Sequence, residues 1–338
     1  MPNVRLSDVA RYAGVSTKTV SNVVNGYVHV RDSTRTRVQQ AIDELGYRPN
    51  LRGRNLATGR TGMIALAFPD LRIPYFAELA HVLSRAAAER GYRLLLEESG
   101  GAPDVERALL SAQEAGVVDG VLMQPAWLSS TEIAQHRRGV PVVLLGESAA
   151  PLGVDHVRID NIAAAVQVVE HLAALGRRRI AYLCAEWSTP SETSRQRLIG
   201  YQQGLESCGI PVDRGLIVSG EVANAQAAAE ALGAALDDGM APDAVFCRDD
   251  LAALGALRAL ADRGLRVPQD VAVTGWDDST LASAVRPGLT CVRADEAELA
   301  RRALDLLIER IEGFDGLGRH EIVAHSLVVR ESAPQPTA

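Results

Sequence analysis

The sequence LSDVARYAGVSTKTVSNVVNG occupies residues 6–26 of this 338-residue chain and carries its clearest structural signal. Apolar residues recur at helical spacing from Leu6 to Ala13, and Gly14 then stops the helix. The chain restarts with Ser16 as a helix N-cap, because its short hydroxyl can accept one of the first unpaired backbone N–H groups. This stretch therefore predicts a helix, a tight turn and a second helix over Thr17 to Asn25.

The second predicted helix has an apolar face and a polar face. Its three valines turn inward, and the polar side chains on the outer face are short enough to reach bases or phosphates. Those polar side chains are Thr17, Lys18, Ser21 and Asn22. A third helix is predicted from about Ser33 or Thr34 to Leu45, with Gly46 as its C-terminal cap. Three short helices around a small core are typical of a helix-turn-helix unit.

Charge is unevenly distributed along the chain. Residues 1–60 contain ten Arg or Lys and four Asp or Glu, a net charge of +6, while the whole chain carries −7 and the remainder therefore −13. The single lysine, Lys18, lies on the polar face of the second predicted helix. A basic head on an acidic body is expected when one end binds a polyanion and the rest stays away from it.

The helices and their spacing resemble a known DNA-binding headpiece. Residues 6–26, followed by TRTRVQQAIDELGYRPN at 34–50, are similar to the headpiece of the lactose-repressor/galactose-repressor (LacI/GalR) family of transcription regulators. The resemblance implies that Thr17, Lys18 and Asn22 read base edges in the major groove. The other DNA-contact residues that it implies are Ser16, Ser21, Asn25, His29 and Thr34, which would hold phosphates, and Asn50.

Residues 49–60 form a polar, glycine-containing linker after the headpiece of residues 1–48. In the family, the corresponding segment folds into a short hinge helix on the operator, and a leucine of that helix wedges into the minor groove. Leu56 matches this leucine. Gly53 stands where the family usually has alanine, which costs a helix about 1 kcal/mol, so the hinge should be less helical without DNA.

From Met63 onward, short apolar runs alternate with helical patterns. Runs rich in Val, Ile and Leu between amphipathic helices predict parallel strands in sheets that helices cover on both faces. The predicted strands are MIALAF (63–68), RLLLEE (93–98), GVLMQ (120–124), PVVLLG (141–146), HVRID (156–160), RRIAYLC (178–184), AVFCRD (244–249) and VAVTGWD (271–277). The expected fold class is α/β, with an all-α helix-turn-helix headpiece at its N-terminus.

The family has a two-lobed core like that of periplasmic binding proteins, and this chain resembles that core over about residues 61–332. PDLRIPYFAEL (69–79) and RVPQDVAVTGWDD (266–278) carry much of the likeness. Effectors of such proteins bind between the lobes, at the carboxyl ends of the strands. The implied boundaries are about 61–160 and 293–322 for the first lobe, about 161–292 and 323–332 for the second, and 333–338 for a flexible tail.

Several residues match effector-binding positions of the family. Arg197, in SRQRLIGY, matches an arginine that grips ligand acceptors, and Asp277, in GWDD, matches a carboxylate that accepts from ligand donors. Tyr75, Phe76 and Trp276 fall where ring-stacking residues occur, and burial in the core is the alternative for each.

Departures from the family pattern limit the choice of ligand. The acidic position after PVVLL is Gly146, with Glu147 next to it as a substitute. Asp249 stands where the family usually has asparagine. No tryptophan lies near Val222, where the lactose repressor stacks its sugar, which argues against a lactose-type galactoside held in the same way.

The sequence contains none of the common enzyme or metal-site motifs. There is no Gly-rich phosphate loop, no G-x-S-x-G elbow and no His-rich metal spacing, and the four cysteines are far apart without a Cys-x-x-Cys pair. We therefore expect a regulator and not an enzyme, with no metal and no cofactor.

The expected function is transcriptional repression, favouring carbohydrate-metabolism genes, by a homodimer on double-stranded, palindromic operator DNA. A sugar or sugar derivative is the expected small-molecule effector, because sugar-responsive members dominate the family, and a purine or nucleoside is the alternative. A sugar-binding transport protein would share the lobes, but the headpiece and the lack of an export signal oppose it. We expect a cytoplasmic protein without membrane contact.

Overall fold

The computed structural model describes residues 4–24, 27, 29–47, 60–111, 116–136, 140–147, 150–185, 191–219 and 224–336. The chain divides into two compact units, one ending at Thr61 and a larger one that starts at Gly62. The headpiece lies in the first unit, and we call the second unit the core. No helix in the described ranges is both long and apolar enough to cross a bilayer.

The described part of the headpiece contains α1 (Leu6–Ala13), α2 (Thr17–Val24) and α3 (Asp32–Leu45). These helices confirm the predicted helix-turn-helix unit, with α3 starting slightly before its predicted first residue. Gly14 ends α1 with a φ of 62°, a left-handed conformation that glycine adopts without strain. The helices enclose a small apolar core of Val9, Ala10, Ala13, Val20, Val23, Val38, Ala41 and Tyr47.

The core alternates strands and helices, as predicted. In chain order its elements are β1 (Met63–Phe68), α4 (Pro74–Glu89), β2 (Arg93–Glu98), α5 (Pro103–Ser111), β3 (Gly120–Met123), α6 (Ser130–His136), β4 (Val142–Leu145), β5 (Asp155–Arg158), α7 (Asn161–Ala174), β6 (Ile180–Ala185), α8 (Glu192–Ser207), β7 (Ile217–Ser219), α9 (Ala225–Asp237), β8 (Ala244–Cys247), α10 (Asp250–Ala261), β9 (Ala272–Trp276), α11 (Thr280–Ala284), β10 (Thr290–Ala294), α12 (Glu296–Ile311), β11 (His320–Ile322) and β12 (His325–Val328). Every predicted strand is present, and β7, β10, β11 and β12 are additional to the predicted set.

The strands form two six-stranded sheets, in the orders β11-β5-β4-β3-β1-β2 and β12-β10-β9-β8-β6-β7. Neighbouring strands are parallel, except for the antiparallel pair of β10 and β12. All residues of β3, β4 and β8 are buried, because helices cover both faces of each sheet. This confirms the expected α/β fold. We call the part built on the first sheet lobe 1 and the part built on the second sheet lobe 2.

The chain passes between the lobes three times, after β5, after β10 and after β11. Helix α12 returns to lobe 1, where it packs against β3, β4 and β5, while α7 packs against α8 in lobe 2. Short crossing segments allow the angle between two lobes to change while each sheet stays intact. They also bring strand ends of both sheets to one cleft.

Candidate DNA-contact face and inter-lobe cavity

The outer face of α2 carries the candidate DNA contacts. Ser16 begins this helix, and its Oγ accepts the backbone N–H of Thr19 at 3.1 Å, as predicted for an N-cap. Val20 and Val23 point into the headpiece core. The predicted contacts that the structure describes are all at least partly exposed: Ser16, Thr17, Lys18, Ser21, Asn22, His29 and Thr34. Asn25, Asn50 and Leu56 lie outside the described residues.

A cavity of about 540 Å³ lies between the two lobes of the core. Its wall includes the residues that directly follow strand ends of both sheets: Pro69 after β1, Gln124 after β3, Gly146 after β4, Arg248 after β8 and Asp277 after β9. Ligands of α/β proteins bind at the carboxyl ends of parallel strands, where the loops converge. This cavity is therefore the candidate ligand site of the core.

The residues predicted to bind an effector all border this cavity. They are Tyr75, Phe76, Glu147, Arg197, Asp249, Trp276 and Asp277. Although these residues are spread over about two hundred positions of the chain, the strand ends bring them together. Their contact with a ligand stays a prediction.

Arg197 on α8 is held in one orientation at the floor of the cavity. The residue is 8% exposed, and its Nε donates to Asn161 Oδ1 at 2.8 Å. Its Nη1 donates to the backbone carbonyl of Arg248. The guanidinium carbon lies 4.1 Å from the ring centroid of Trp276, and Nη2 lies 3.7 Å from Asp277 Oδ1. A guanidinium fixed on four sides is preorganised to meet ligand acceptors.

Asp277 is a largely buried carboxyl beside this guanidinium, with 12% of its side chain exposed. Its backbone has a φ of 95°, unusual for a residue with a Cβ, and its N–H donates to the carbonyl of Val292 at 2.8 Å. Burial raises the pKa of Asp277 to about 8, and the carboxylates of Asp250 and Asp249 add to the rise while Arg197 opposes it. Near neutral pH this carboxyl can therefore both donate and accept hydrogen bonds.

Asp249 has a structural role that the sequence pattern did not indicate. Its Oδ1 accepts the backbone N–H of Ala252 at 2.8 Å, which makes it the N-cap of α10. Its Oδ2 accepts from Arg248 Nη2 at 2.8 Å. Asparagine and aspartate cap helices equally well, so the change from the usual family residue preserves the cap and adds an ion pair.

Glu147 reaches across the cleft from lobe 1 to lobe 2. Its carboxylate accepts hydrogen bonds from Asn161 Nδ2 and Thr193 Oγ1. The structure also explains why Gly146 precedes it: a Cβ there would lie 2.7 Å from the side chain of Gln124, and the φ is 76°. The acidic side chain is therefore one residue later than in the family pattern.

The three predicted ring residues differ in burial. Phe76 stacks on Phe68 with centroids 4.8 Å apart, and Trp276, 1% exposed, stacks on Phe246 at 6.0 Å. Both rings support the cavity floor from the core side. Tyr75 is partly exposed, and desolvation together with the nearby carboxylates of Asp277 and Glu147 raises its phenol pKa well above the usual range. The phenol therefore stays neutral and can donate a hydrogen bond.

Sequence reasoning missed residues in and behind the cavity wall. The segment 125–130 after β3 belongs to the wall and carries an exposed tryptophan, Trp127. Asn161, which is fully buried, joins Glu147 to Arg197 from behind the wall. Their signal was their position shortly after the ends of β3 and β5. Within the described ranges, no group of His, Cys, Asp and Glu is arranged to hold a metal ion.

Comparisons with known proteins cover nearly the whole chain. A model of bacterial regulatory proteins of the lacI family matches residues 5–50, and a model of a periplasmic binding protein-like domain matches residues 169–333. The transcriptional regulator DegA of Bacillus subtilis (strain 168) is 31% identical over 336 residues, with 96% of each chain covered. The transcriptional repressor CytR of Escherichia coli (strain K12) is 32% identical over 328 residues, covering 97% of this chain and 95% of CytR.

Solved structures share the fold. The lac repressor dimer bound to operator and the anti-inducer ONPF has a TM-score of 0.86 at 29% identity, covering 98% of this chain and 99% of that one. A complex of the regulator CelR with cellobiose has a TM-score of 0.70 at 34% identity, covering 98% of this chain and all of that one (100%).

A helix-turn-helix headpiece with a polar recognition face, joined to a two-lobed core with a cavity at its strand ends, defines the class of DNA-binding transcription regulators. The matched relatives are named as regulators and repressors of transcription, and none of these names is that of an enzyme. The chain belongs to the lacI family of bacterial regulatory proteins, which confirms the resemblance seen in the sequence. It is a transcriptional repressor that binds DNA.

Proposed function

We propose that this repressor binds a palindromic operator as a homodimer and responds to a sugar or sugar derivative in the inter-lobe cavity. The observation that carries the effector part is the set of donors and acceptors around the cavity floor. Arg197 supplies donors, Glu147 supplies an acceptor and Asp277 can supply either. A sugar presents hydroxyl groups that need both, at fixed directions around its rim.

Aromatic surface supports the same ligand class. Tyr75 borders the cavity and is partly exposed. The two faces of Trp276 are already covered by Phe246 and Arg197, so this ring supports the floor from below. The C–H face of a sugar can pack on an aromatic ring such as Tyr75, while its hydroxyls reach the charged groups at the side. The similar CelR structure contains cellobiose, which adds support by likeness.

The proposed dimer follows from how little DNA one headpiece can read. One recognition helix contacts a few base pairs, so specificity requires a second headpiece related by two-fold symmetry. We assign Thr17, Lys18 and Asn22 to base edges and Leu56 to the minor-groove wedge at the centre of the operator. The similar lac repressor structure is a dimer on its operator.

The test is an operator selection followed by a ligand panel. Full-length protein is used to select binding sites from random duplex DNA, and the best site is then titrated with and without sugars, purines and nucleosides. We expect a palindromic site, steep salt dependence and a change in operator affinity with one sugar. By linkage, operator DNA should change the affinity for that sugar by the same factor. A response to purines or nucleosides alone would contradict the sugar assignment, and a non-palindromic site would contradict the dimer.

A further inference from the structure

Trp127 is a large aromatic residue that borders the cavity with 52% of its surface exposed. By contrast, Arg197 is 8% exposed and Trp276 1% exposed. Exposure therefore increases from the cavity floor towards Trp127, which places this residue at the mouth. An indole exposed to this extent beside a cavity offers apolar surface that a bound ligand could cover.

The backbone around Trp127 is held by a buried carboxylate. Glu106 on α5 is 1% exposed and accepts the backbone N–H groups of Ala126, Trp127 and Leu128 at 2.8, 3.3 and 3.1 Å. Leu128 is 5% exposed and anchors the segment in the core of lobe 1. Hydrogen bonds to a charged acceptor are stronger than neutral ones, and three of them fix the loop in one conformation.

The indole itself also has a fixed support. A Cβ added to Gly101 would lie 3.0 Å from Trp127 Nε1, so the pyrrole edge of the ring rests against this glycine. Gly101 has a φ of 67°, which a residue with a Cβ rarely adopts. The ring is thus presented on a rigid loop and does not need to be ordered when a ligand arrives, which reduces the entropic cost of binding.

The volume of the cavity exceeds what one sugar ring needs. Cavities of about 300–1,000 Å³ hold drug-sized ligands, so a cavity of about 540 Å³ has room for more than a single sugar ring. A ring held at the floor by Arg197 and Asp277 would leave the mouth beside Trp127 open to a second group. The contact free energy of an aromatic side chain is most favourable with a flat or C–H-rich partner, such as a second ring.

We infer that Trp127 is the stacking platform for a second ring, so that the effector is a glycoside of at least two rings and not a free monosaccharide. This inference rests on the proposed sugar site. Trp127 determines specificity at the mouth, while the charged groups at the floor recognise the first ring.

The test compares matched pairs of ligands by calorimetry on full-length protein. Each set compares a monosaccharide with two-ring glycosides that contain it. The sets are glucose with cellobiose and maltose, and galactose with lactose and nitrophenyl galactoside. In the set that binds, we expect the two-ring glycosides to bind more tightly than the monosaccharide. Trp127→Ala should lower the affinity for the two-ring glycoside by about 3- to 10-fold and leave the affinity for the monosaccharide unchanged. Trp127→Phe should keep most of the preference for two rings. Leu152→Ala, which truncates an apolar side chain that is 82% exposed away from the cavity wall, should change neither affinity.

Each other outcome has a distinct meaning. Equal losses for both members of a pair, or no loss in Trp127→Ala, would overturn the platform and leave the sugar site intact. Binding of monosaccharides alone would do the same. If no sugar in the panel binds or alters operator affinity, the proposed sugar response fails, and the platform fails with it.

Discussion

The headpiece and the cavity present their candidate contact residues in opposite ways. Lys18 and Thr17 stand on the exposed face of α2, where they take no part in the apolar core of the headpiece. Arg197 is 8% exposed, and its hydrogen bond to the fully buried Asn161 connects it to Glu147 of lobe 1. DNA recognition is thus separated from folding in this chain, whereas ligand recognition is built into the fold.

The difference follows from the two kinds of ligand. DNA is a large polyanion that meets an exposed surface, and its attraction to basic residues needs no cavity. A small ligand must be removed from water, and the polar groups that receive it must be paired before it arrives, because an unpaired buried group is costly. The residues around the cavity therefore pair with one another, as Glu147 does with Asn161.

Arg197→Ala should have the largest effect, because this residue belongs to both the site and the fold. The change removes the partner of Asn161 and the positive charge beside Asp277. We expect effector affinity to fall by about 100-fold and the free energy of unfolding of the core to fall by about 2–4 kcal/mol. Calorimetry with the identified effector and denaturant unfolding measure the two losses.

Arg195→Ala is the matched control on the same helix. Arg195 forms an exposed ion pair with Glu192, and such pairs contribute little to stability. Its loss should change stability by less than about 0.5 kcal/mol and leave effector affinity intact. If Arg197→Ala has the same free energy of unfolding as this control, Arg197 does not stabilise the core. The proposed difference between the headpiece and the cavity would then be wrong.

Lys18→Ala should change DNA recognition without changing stability. The side chain is exposed on α2, so its loss creates no cavity in the headpiece. We expect preference at one symmetric pair of operator bases to relax, with a loss of about 1–3 kcal/mol per contact. Selection on random DNA measures the preference, and thermal unfolding measures the stability.

Arg11→Ala removes the same charge from α1, where the side chain is 80% exposed and lies 3.3 Å from Asp8. This variant should weaken binding to all sequences alike and keep the base preference of the parent. An unchanged base preference in Lys18→Ala would show that Lys18 does not contact operator bases. A large loss of stability in that variant would show that recognition and folding are coupled in the headpiece after all.

Much of the fold could be predicted because its signals are local. The periodicity of Leu6 to Ala13 and the stop at Gly14 lie within a few residues of each other, and each buried strand of the core is one short apolar run. The cavity residues could be predicted as a group because parallel strands bring their carboxyl ends to one edge.

The network inside the cavity could not be predicted, because its bonds join positions far apart in the chain. Asn161 bonds to a residue 36 positions away, and Glu106 holds a loop about 20 positions later. Both look like ordinary surface residues in sequence. The burial of Phe76 and Trp276 likewise depends on Phe68 and Phe246, which the local pattern of either residue does not indicate.

The smallest expected effect is a dependence of core stability on pH. Burial raises the pKa of Asp277 to about 8 and that of Asp250 to about 6. Between the ordinary carboxyl pKa of ~4 and these values, the folded core holds more protons than the unfolded chain. Burial also raises the pKa of Glu296 to about 7, which adds to this trend, and lowers the pKa of His156 to about 4, which opposes it below about pH 6.5. With three raised carboxyls against this histidine, the free energy of unfolding should fall as pH rises through this window. None of the described carboxylates of the headpiece is buried, so this slope belongs to the core.

Asp277→Asn tests this argument by removing the group with the higher pKa. Relative to the parent, the variant should gain about 1–2 kcal/mol of stability between pH 5 and pH 8, because it has no carboxyl to ionise in the buried site. Denaturant unfolding at several pH values measures both slopes, and Asp262→Asn, which removes an exposed carboxyl paired with Arg258, should keep the slope of the parent. If Asp277→Asn also keeps that slope, Arg197 holds Asp277 ionised throughout, and the cavity floor is a permanent ion pair that offers ligands an acceptor only.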